Sequence, residues 1–343
     1  MCRTSHFDMT TQCSSVPSGR KLGFSTLTCI LTFVSTTPAL AQSTEDCRLI
    51  TDNTTRLACY DTRYGPPTGE PTRAKAEEQT VSALERRERS EVELQNNWFA
   101  ITPYRPNYIL PVTYLDDADF SPYAGIGDTD EIKDVEAKYQ LSVRTLVWPK
   151  MFHSNVDAWF AFTLQSYWQV YASDISKPFR ENNYEPELFV STPLKWDVLG
   201  WRLHRLNVGM VHQSNGRSDP LSRSWNRVFG QLTAEHGNAA LYAKAWWRIP
   251  EDDEDDDNPH IERYMGQGEF GGAYHWGEQT FALIIKNNFR SENKSGVQFD
   301  WSFPLTRHLK GYVQLYSGYG ENLIDGPNNQ TRAGLGVMLT DWL

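Results

Sequence analysis

Leu206 to Glu235 reads L-N-V-G-M-V-H-Q-S-N-G-R-S-D-P-L-S-R-S-W-N-R-V-F-G-Q-L-T-A-E. A short Asn/Gly/Arg/Ser/Asp/Pro loop divides two runs that alternate as β-strands do, with every second residue on one face. Before the loop, His212 is in phase with Met210, Val208 and Leu206, while Val211, Gly209, Asn207 and Arg205 take the other side. After it, Asn226 is in phase with Val228, Gly230, Leu232 and Ala234, opposite Arg227, Gln231 and Glu235. In a soluble sandwich the apolar face is core and the charges lie outside. Here the polar chemistry belongs to the apolar face and the charges stand behind it. A charged interior under a lipid-facing exterior is the pattern of an outer-membrane barrel, so the fold class expected is all-β, an antiparallel transmembrane β-barrel.

The same phase relation suggests a reaction. His212 and Ser214 project side by side from one strand, and Asn226 stands on the next antiparallel strand, within reach of the imidazole from behind. A base, a nucleophile and an orienting group are the parts of a serine hydrolase. Taken alone, a His-x-Ser pair is most often structural.

Composition agrees with the inversion. Aromatics make up 13% of 343 residues, with 12 Trp and 16 Tyr, enough to furnish girdles at two membrane interfaces. Mean hydropathy is nevertheless −0.56, too polar for a helical membrane protein. No run after residue 41 approaches the roughly 20 apolar residues of a spanning helix, and a closed barrel needs none. A large soluble β-sandwich is the competing architecture.

At the amino terminus, Arg20 and Lys21 precede the apolar stretch Leu22 to Val34 and then Ala39-Leu40-Ala41, the form of a signal-peptidase site. Residues 1–41 are therefore expected to be a signal peptide, and the long segment ahead of the basic pair favours a start at Met9 or later. Loss of Arg3, Arg20, Lys21 and Asp8 takes the formal charge from −10 to about −12. That acidity argues against nucleic acid as a partner and against polybasic binding to anionic lipid. Cys2, Cys13 and Cys29 leave with the signal peptide. Cys47 and Cys59 remain as a close pair in an exported chain, which reads as a disulfide contributing about 3 kcal/mol. Residues 42–97 read as a periplasmic segment and linker: after Asp61 the chain is charged and irregular, with Pro66, Pro67, Pro71 and one short polar helix.

From Trp98 to residue 343 about twelve alternating segments follow: 104–115, 134–148, 157–171, 182–192, 196–214, 222–236, 239–249, 263–275, 278–289, 294–304, 309–319 and 330–343. In the third, Phe160, Phe162, Leu164, Trp168 and Val170 share one face, and Thr163, Gln165, Tyr167 and Gln169 the other. With both termini periplasmic, odd segments run outward. The loop Asn215 to Leu221 then lies at the external rim, and the three polar residues lie in the outer leaflet.

The string S-N-G-R-S-D-P-x-S-R-S-W-N-R from Ser214, preceded by His212, resembles outer-membrane phospholipase A. So do N-Y-E-P-E-L from Asn183, Y-S-G-Y-G-E from Tyr316 and N-Q-T-R from Asn329, and the resemblance extends over most of residues 97–343. It implies a twelve-stranded barrel, a calcium-dependent acyl hydrolase acting on membrane phospholipids at sn-1 or sn-2, and an active homodimer. Carried over by position, it makes Ser214 the nucleophile, His212 the general base and acid, and Asn226 the group that orients the histidine. An Asn fixes the tautomer but brings no charge to the imidazolium, so electrophilic help to the oxyanion gains weight. The resemblance assigns that help to calcium, held by the Ser222 side chain and the Arg217 carbonyl, with Asp219 nearby and Ser176 reaching in from the second subunit. A site with few carboxylates is chemically possible for this ion but weak.

Two positions depart from the family. Leu164 stands where family members carry a membrane-facing glutamine that helps pairing, and the chain ends Trp342-Leu343 where barrels usually close on an aromatic residue. Other groups invite plainer readings: the acidic run Glu251 to Asp257 offers oxygen ligands for calcium but reads first as a solvated loop, His204, His236, His260 and His275 are too scattered for a metal site, and Gly266, Gly268, Gly271 and Gly272 serve barrel packing and bending. Against an enzyme stand a passive pore and an adhesin acting through residues 250–262.

Overall fold

A computed structural model of the chain describes residues 47–65, 82–95, 100–116, 118–124, 129–252, 254, 256–306 and 309–343. The expected signal peptide and the boundary at Trp98 lie outside these. The chain divides into two compact units, residues 1–68 and 69–343. In the first, Cys47 and Cys59 form a disulfide. It joins a short turn to helix α1 (Asn53–Tyr64), whose first turn is capped by Asp52 Oδ1 accepting from the Thr55 amide at 2.9 Å.

The second unit holds twelve long antiparallel strands: β1 (Asn107–Asp116), β2 (Val135–Trp148), β3 (Asp157–Trp168), β4 (Phe179–Val198), β5 (Trp201–Ser214), β6 (Ser224–His236), β7 (Ala239–Ile249), β8 (Gly268–Trp276), β9 (Gln279–Asn287), β10 (Ser295–Pro304), β11 (Lys310–Gly318) and β12 (Gln330–Thr340). Each pairs with its neighbours in sequence, and β12 pairs with β1, so the sheet closes into a barrel. A two-residue extended segment, Thr102–Pro103, adds to β2. Closure leaves no long strand with an unpaired edge, the condition for crossing a bilayer with strands.

The inversion read from the sequence is borne out. Val208, Met210, Val228, Leu232, Leu283 and Leu315 are exposed on the outside, whereas Glu136, Lys138, Arg180, Glu187, Arg227, Asp300 and Arg332 are buried within. The enclosed charges are paired, as burial requires. Arg180 binds Glu136 and Asp325, Arg332 binds Glu136 and Glu321, and Lys138 binds Glu321 at 2.9 Å and Gln314 at 2.8 Å. One cavity in the lumen measures ≈ 180 Å³ and is lined by Arg105, Glu185, Lys244, Lys286 and Asp300 among others. That is room for on the order of ten waters. A lumen cross-braced in this way argues against the passive pore.

Turns of a few residues, such as Leu199–Gly200 (φ 51° and 82°) and Gly237–Asn238, alternate with longer loops at the other end. Short turns mark the periplasmic end of such barrels and long loops the outside. The loop after Ser214, residues 215–223, is among the long ones. External loops also fold inward: Ile261, Met265 and Leu323 pack with Trp225, Phe229 and Trp246 in one buried cluster. At the opposite end, helix α2 (Ala83–Gln95), the polar helix of the linker, meets the barrel. Arg87 donates to the carbonyls of Asp341 and Trp342, and Glu88 pairs with His204 and Arg205. Trp342 turns toward the lumen, stacked on Tyr242, instead of anchoring in lipid.

The largest shifts of segment boundaries from expectation fall at two places. The expected segments 182–192 and 196–214 place the break between strands near Pro193. The structure carries β4 through to Val198 and absorbs the proline at a register shift between Pro193 and Trp196. Likewise β8 starts at Gly268, because residues 262–265 form the single helical turn α3 (Glu262–Met265).

Candidate active site

The register of β5 and β6 places the three polar residues. Met210 pairs with Val228, His212 with Asn226 and Ser214 with Ser224, so the histidine and the amide face each other on the outer surface. His212 Nδ1 lies 2.9 Å from Asn226 Oδ1. A carbonyl oxygen can only accept, so the imidazole proton sits on Nδ1 and the Nε2 lone pair is left for a hydroxyl. His212 is exposed, while Ser214 and Asn226 are half-buried. Among the described residues no hydrogen bond joins Ser214 to His212. Such contacts often tighten only when substrate is bound.

The wall behind these residues is rigid. Gln213, pointing inward between His212 and Ser214, accepts from Trp225 Nε1 at 2.9 Å and Arg227 Nη2 at 3.0 Å, and the Arg227 guanidinium lies 4.0 Å from the centre of the Trp225 ring. The loop that follows is pinned from inside. Asn215 Oδ1 accepts from the Arg217 and Arg223 amides, and its Nδ2 donates to the Leu221 carbonyl. Gly216 adopts φ 66°, and a side chain there would press on the Tyr184 ring at 3.1 Å. Tyr184 is itself the β4 partner of Ser214, so the turn, the ring and the nucleophile strand interlock.

The residues expected to hold calcium are only partly gathered. Ser222 lies in the loop after Ser214, and Arg217 sends its guanidinium to the carbonyls of Phe179 and Arg180, both at 2.8 Å. Asp219 is exposed on the same loop, and Ser176 is exposed on the loop between β3 and β4, with φ 62°. Among the described residues, no three His, Cys, Asp or Glu side chains converge as a metal site. Three of the four scattered histidines have other partners: His204 lies between Glu88 and Glu235, His236 meets the Gly200 carbonyl and His275 meets Thr280.

Sequence reasoning missed two carboxylates. The acidic run, read as a solvated loop, returns to the site: Asp257 accepts from Ser222 Oγ at 2.5 Å and from the Ser224 amide at 2.9 Å, and Glu251 accepts from Asn226 Nδ2 at 2.7 Å. A register count would have found them. Asn226 pairs with Ile249 of β7, so the chain leaving that strand must emerge beside Asn226.

A closed barrel, apolar outside, with a histidine, a hydroxyl and an amide aligned at one rim of its outer face, defines a class of outer-membrane β-barrel that carries polar side chains on its lipid-facing side. Residues 84–339 match the family model of Phospholipase A1. The Escherichia coli K12 phospholipase A1 is 39% identical over 246 residues, covering 72% of this chain and 83% of that protein, and the putative phospholipase A1 of Neisseria meningitidis is 29% identical over 371 aligned positions, covering 94% and 96%. Among solved structures, Escherichia coli outer membrane phospholipase A aligns with a TM-score of 0.68 at 38% identity, covering 71% of this chain and all of that one. The outer membrane phospholipase of Salmonella typhi, a dimer with bound calcium, aligns with the same score at 40% identity, covering 72% and 95%. The chain belongs to the phospholipase A1 family. It is a carboxylic ester hydrolase, a phospholipase of the Gram-negative outer membrane.

Proposed function

We propose that the protein hydrolyses phospholipid acyl esters at sn-1 or sn-2 through a Ser214-His212-Asn226 triad, with calcium as cofactor and a homodimer as the active form. The observation that carries this reading is the 2.9 Å contact between His212 Nδ1 and Asn226 Oδ1 on the exposed outer face, one pleat from Ser214. His212 Nε2 takes the Ser214 proton as Oγ bonds to the ester carbon. The carbon–oxygen bond to the glycerol then breaks, and the same proton passes to the leaving lyso-lipid. Water, deprotonated by His212, releases the fatty acid and restores Ser214. Lipid reaches the site laterally, without leaving the membrane.

Calcium would be held by the Arg217 carbonyl and the Ser222 hydroxyl, with Asp219 near. The chemistry of the donors supports this, since Asp257 adds a carboxylate at Ser222 and hard cations take oxygen ligands. When bound, the ion supplies positive charge to a developing oxyanion. Ser176 of a second copy would complete the set, so that a lone protomer stays inactive. Tyr184, Leu164 and Leu141 form one outward row beside Ser214, a surface for such pairing in which Leu164 replaces a hydrogen-bonding side chain by an apolar one. In the mature protein, residues 1–41 are removed, 42–97 are the periplasmic segment and linker, and 98–343 form the catalytic barrel.

The testing experiment is a phospholipase assay in mixed micelles on wild type and Ser214→Ala, each with calcium and with excess chelator. Activity confined to wild type with calcium is the expected result. Turnover by Ser214→Ala would overturn the triad, and full activity in chelator would remove the metal.

A further inference from the structure

An Asn in a catalytic triad leaves two matters open: which end of the amide faces the histidine, and what stabilises the imidazolium. In this chain both are addressed from the loop after β7. Glu251 Oε1 accepts from Asn226 Nδ2 at 2.7 Å. A carboxylate only accepts, so its partner must be the amide nitrogen, and the amide oxygen is thereby turned to His212. With the amide reversed, Nδ2 would donate to Nδ1, the imidazole proton would move to Nε2, and no lone pair would remain for the Ser214 proton.

We propose that Glu251 is a positioning residue of this site, locking the Asn226 amide in its productive orientation and placing behind it the negative charge that a neutral triad member lacks. The inference rests on His212 and Asn226 acting as base and orienting group. Other charged groups at this corner have different duties. Arg248 lies 3.6 Å from Glu251 Oε2 but is held more closely by Asp256 at 2.6 Å, and Asp257 serves Ser222 and Ser224. Asp252 and Glu254 are exposed. The closer partner of Glu251 is thus the amide and not the guanidinium, which distinguishes the proposal from a plain ion pair stabilising the loop.

The test is a double-mutant cycle, with turnover in mixed micelles and the inactivation rate by a long-chain alkyl fluorophosphonate as readouts. Glu251→Ala should lower kcat and fluorophosphonate reactivity roughly tenfold with KM little changed, as expected for loss of one charge-assisted bond acting in the transition state. Glu251→Gln, which preserves shape and can still accept from the amide, should lie between. In an Asn226→Ala background the Glu251→Ala effect should shrink to less than about twofold, because the residue acts through that amide. In Asn226→Asp, where Glu251 would face a second carboxylate, Glu251→Gln should raise activity instead of lowering it. Heat-modifiable migration on gels checks that each barrel is folded. The proposal is overturned if both Glu251 variants match wild type, if the Glu251→Ala loss persists in full without Asn226, or if Glu251→Gln lowers Asn226→Asp as it lowers wild type. Those outcomes, with Ser214→Ala inactive, reject Glu251 alone; an active Ser214→Ala rejects the triad itself.

Discussion

Replacing Asn226 by Ala removes one hydrogen bond, and the structure sets how much that should cost. The bond is a 2.9 Å contact from His212 Nδ1–H to a neutral amide oxygen, on a strand pair whose register is fixed on both sides by Met210–Val228 and Ser214–Ser224. While the imidazole is neutral, such a bond contributes about 1 kcal/mol; once the ring is protonated it becomes charge-assisted, about 1.5–3 kcal/mol. The rate follows the difference between the two states, about 0.5–2 kcal/mol, which gives roughly two- to thirtyfold. Exposure of His212 to the membrane interface favours the lower end. Ser214→Ala and His212→Ala remove the attacking oxygen and its base, and each should cost roughly 10⁴-fold or more, with little further loss in combination. The assay is initial-rate hydrolysis of a phospholipid in mixed micelles with saturating calcium, at protein concentrations where wild type is fully active. If Asn226→Ala is as inactive as Ser214→Ala, orientation is not its role, and the division of labour drawn from this face fails.

Chelation should abolish hydrolysis while unheated samples still migrate as folded barrels, and Ser222→Asn or Asp257→Asn should shift the calcium titration to higher concentration; an unshifted titration would detach these residues from the ion. Cys47→Ser with Cys59→Ser should leave the barrel heat-modifiable and largely active, and loss of assembly would show that the amino-terminal unit is needed to build it. Glu88 offers a pH test on α2. Burial opposes its ionisation, but hydrogen bonds from His204 and Arg205, with the Arg205 charge, hold the carboxyl down at about 2. Its contribution, about 2 kcal/mol after allowance for partial exposure, is therefore full above the ordinary carboxylate range and lost as pH falls toward 2. Glu88→Gln should thus speed amide exchange in α2 at pH 7 and approach wild type in acid, and equal exchange rates at pH 7 would refute the docking contribution.

What could be read from the sequence was what period two controls. A one-residue slip would exchange the faces of β5 and β6, so the apolar phase of Leu206 to Met210 and Val228 to Ala234 fixes both the barrel and the side on which His212, Ser214 and Asn226 emerge. The missed parts lack that period. The break expected near Pro193 falls at Leu199–Gly200 instead, because a sequence does not show that a register shift carries the strand past the proline. Glu251 and Asp257 looked solvated because acidic runs usually are, and only the pairing of Ile249 with Asn226 brings them to the site. Helix α2 meets the barrel through Arg87 and Glu88, so its polarity resembled that of a free linker.

The inversion also bears on control. With Ser214 as the proposed nucleophile facing the bilayer, the phospholipase would be surrounded by substrate at a concentration far above any plausible KM, so binding affinity could not switch it off. Nor can the barrel conceal the site, because β5 and β6 are held by ladders on both sides and by the buried Gln213, Trp225 and Arg227 cluster. What remains adjustable is the periphery: the ion expected at Arg217 and Ser222, the acidic loop that reaches Asn226 and Ser222, and the outward row of Leu141, Leu164 and Tyr184. A neutral Asn suits that arrangement. Under the proposed roles it would make the base competent only when other charges complete the site, which would place control of the reaction in parts that can be assembled or withdrawn without unfolding the barrel.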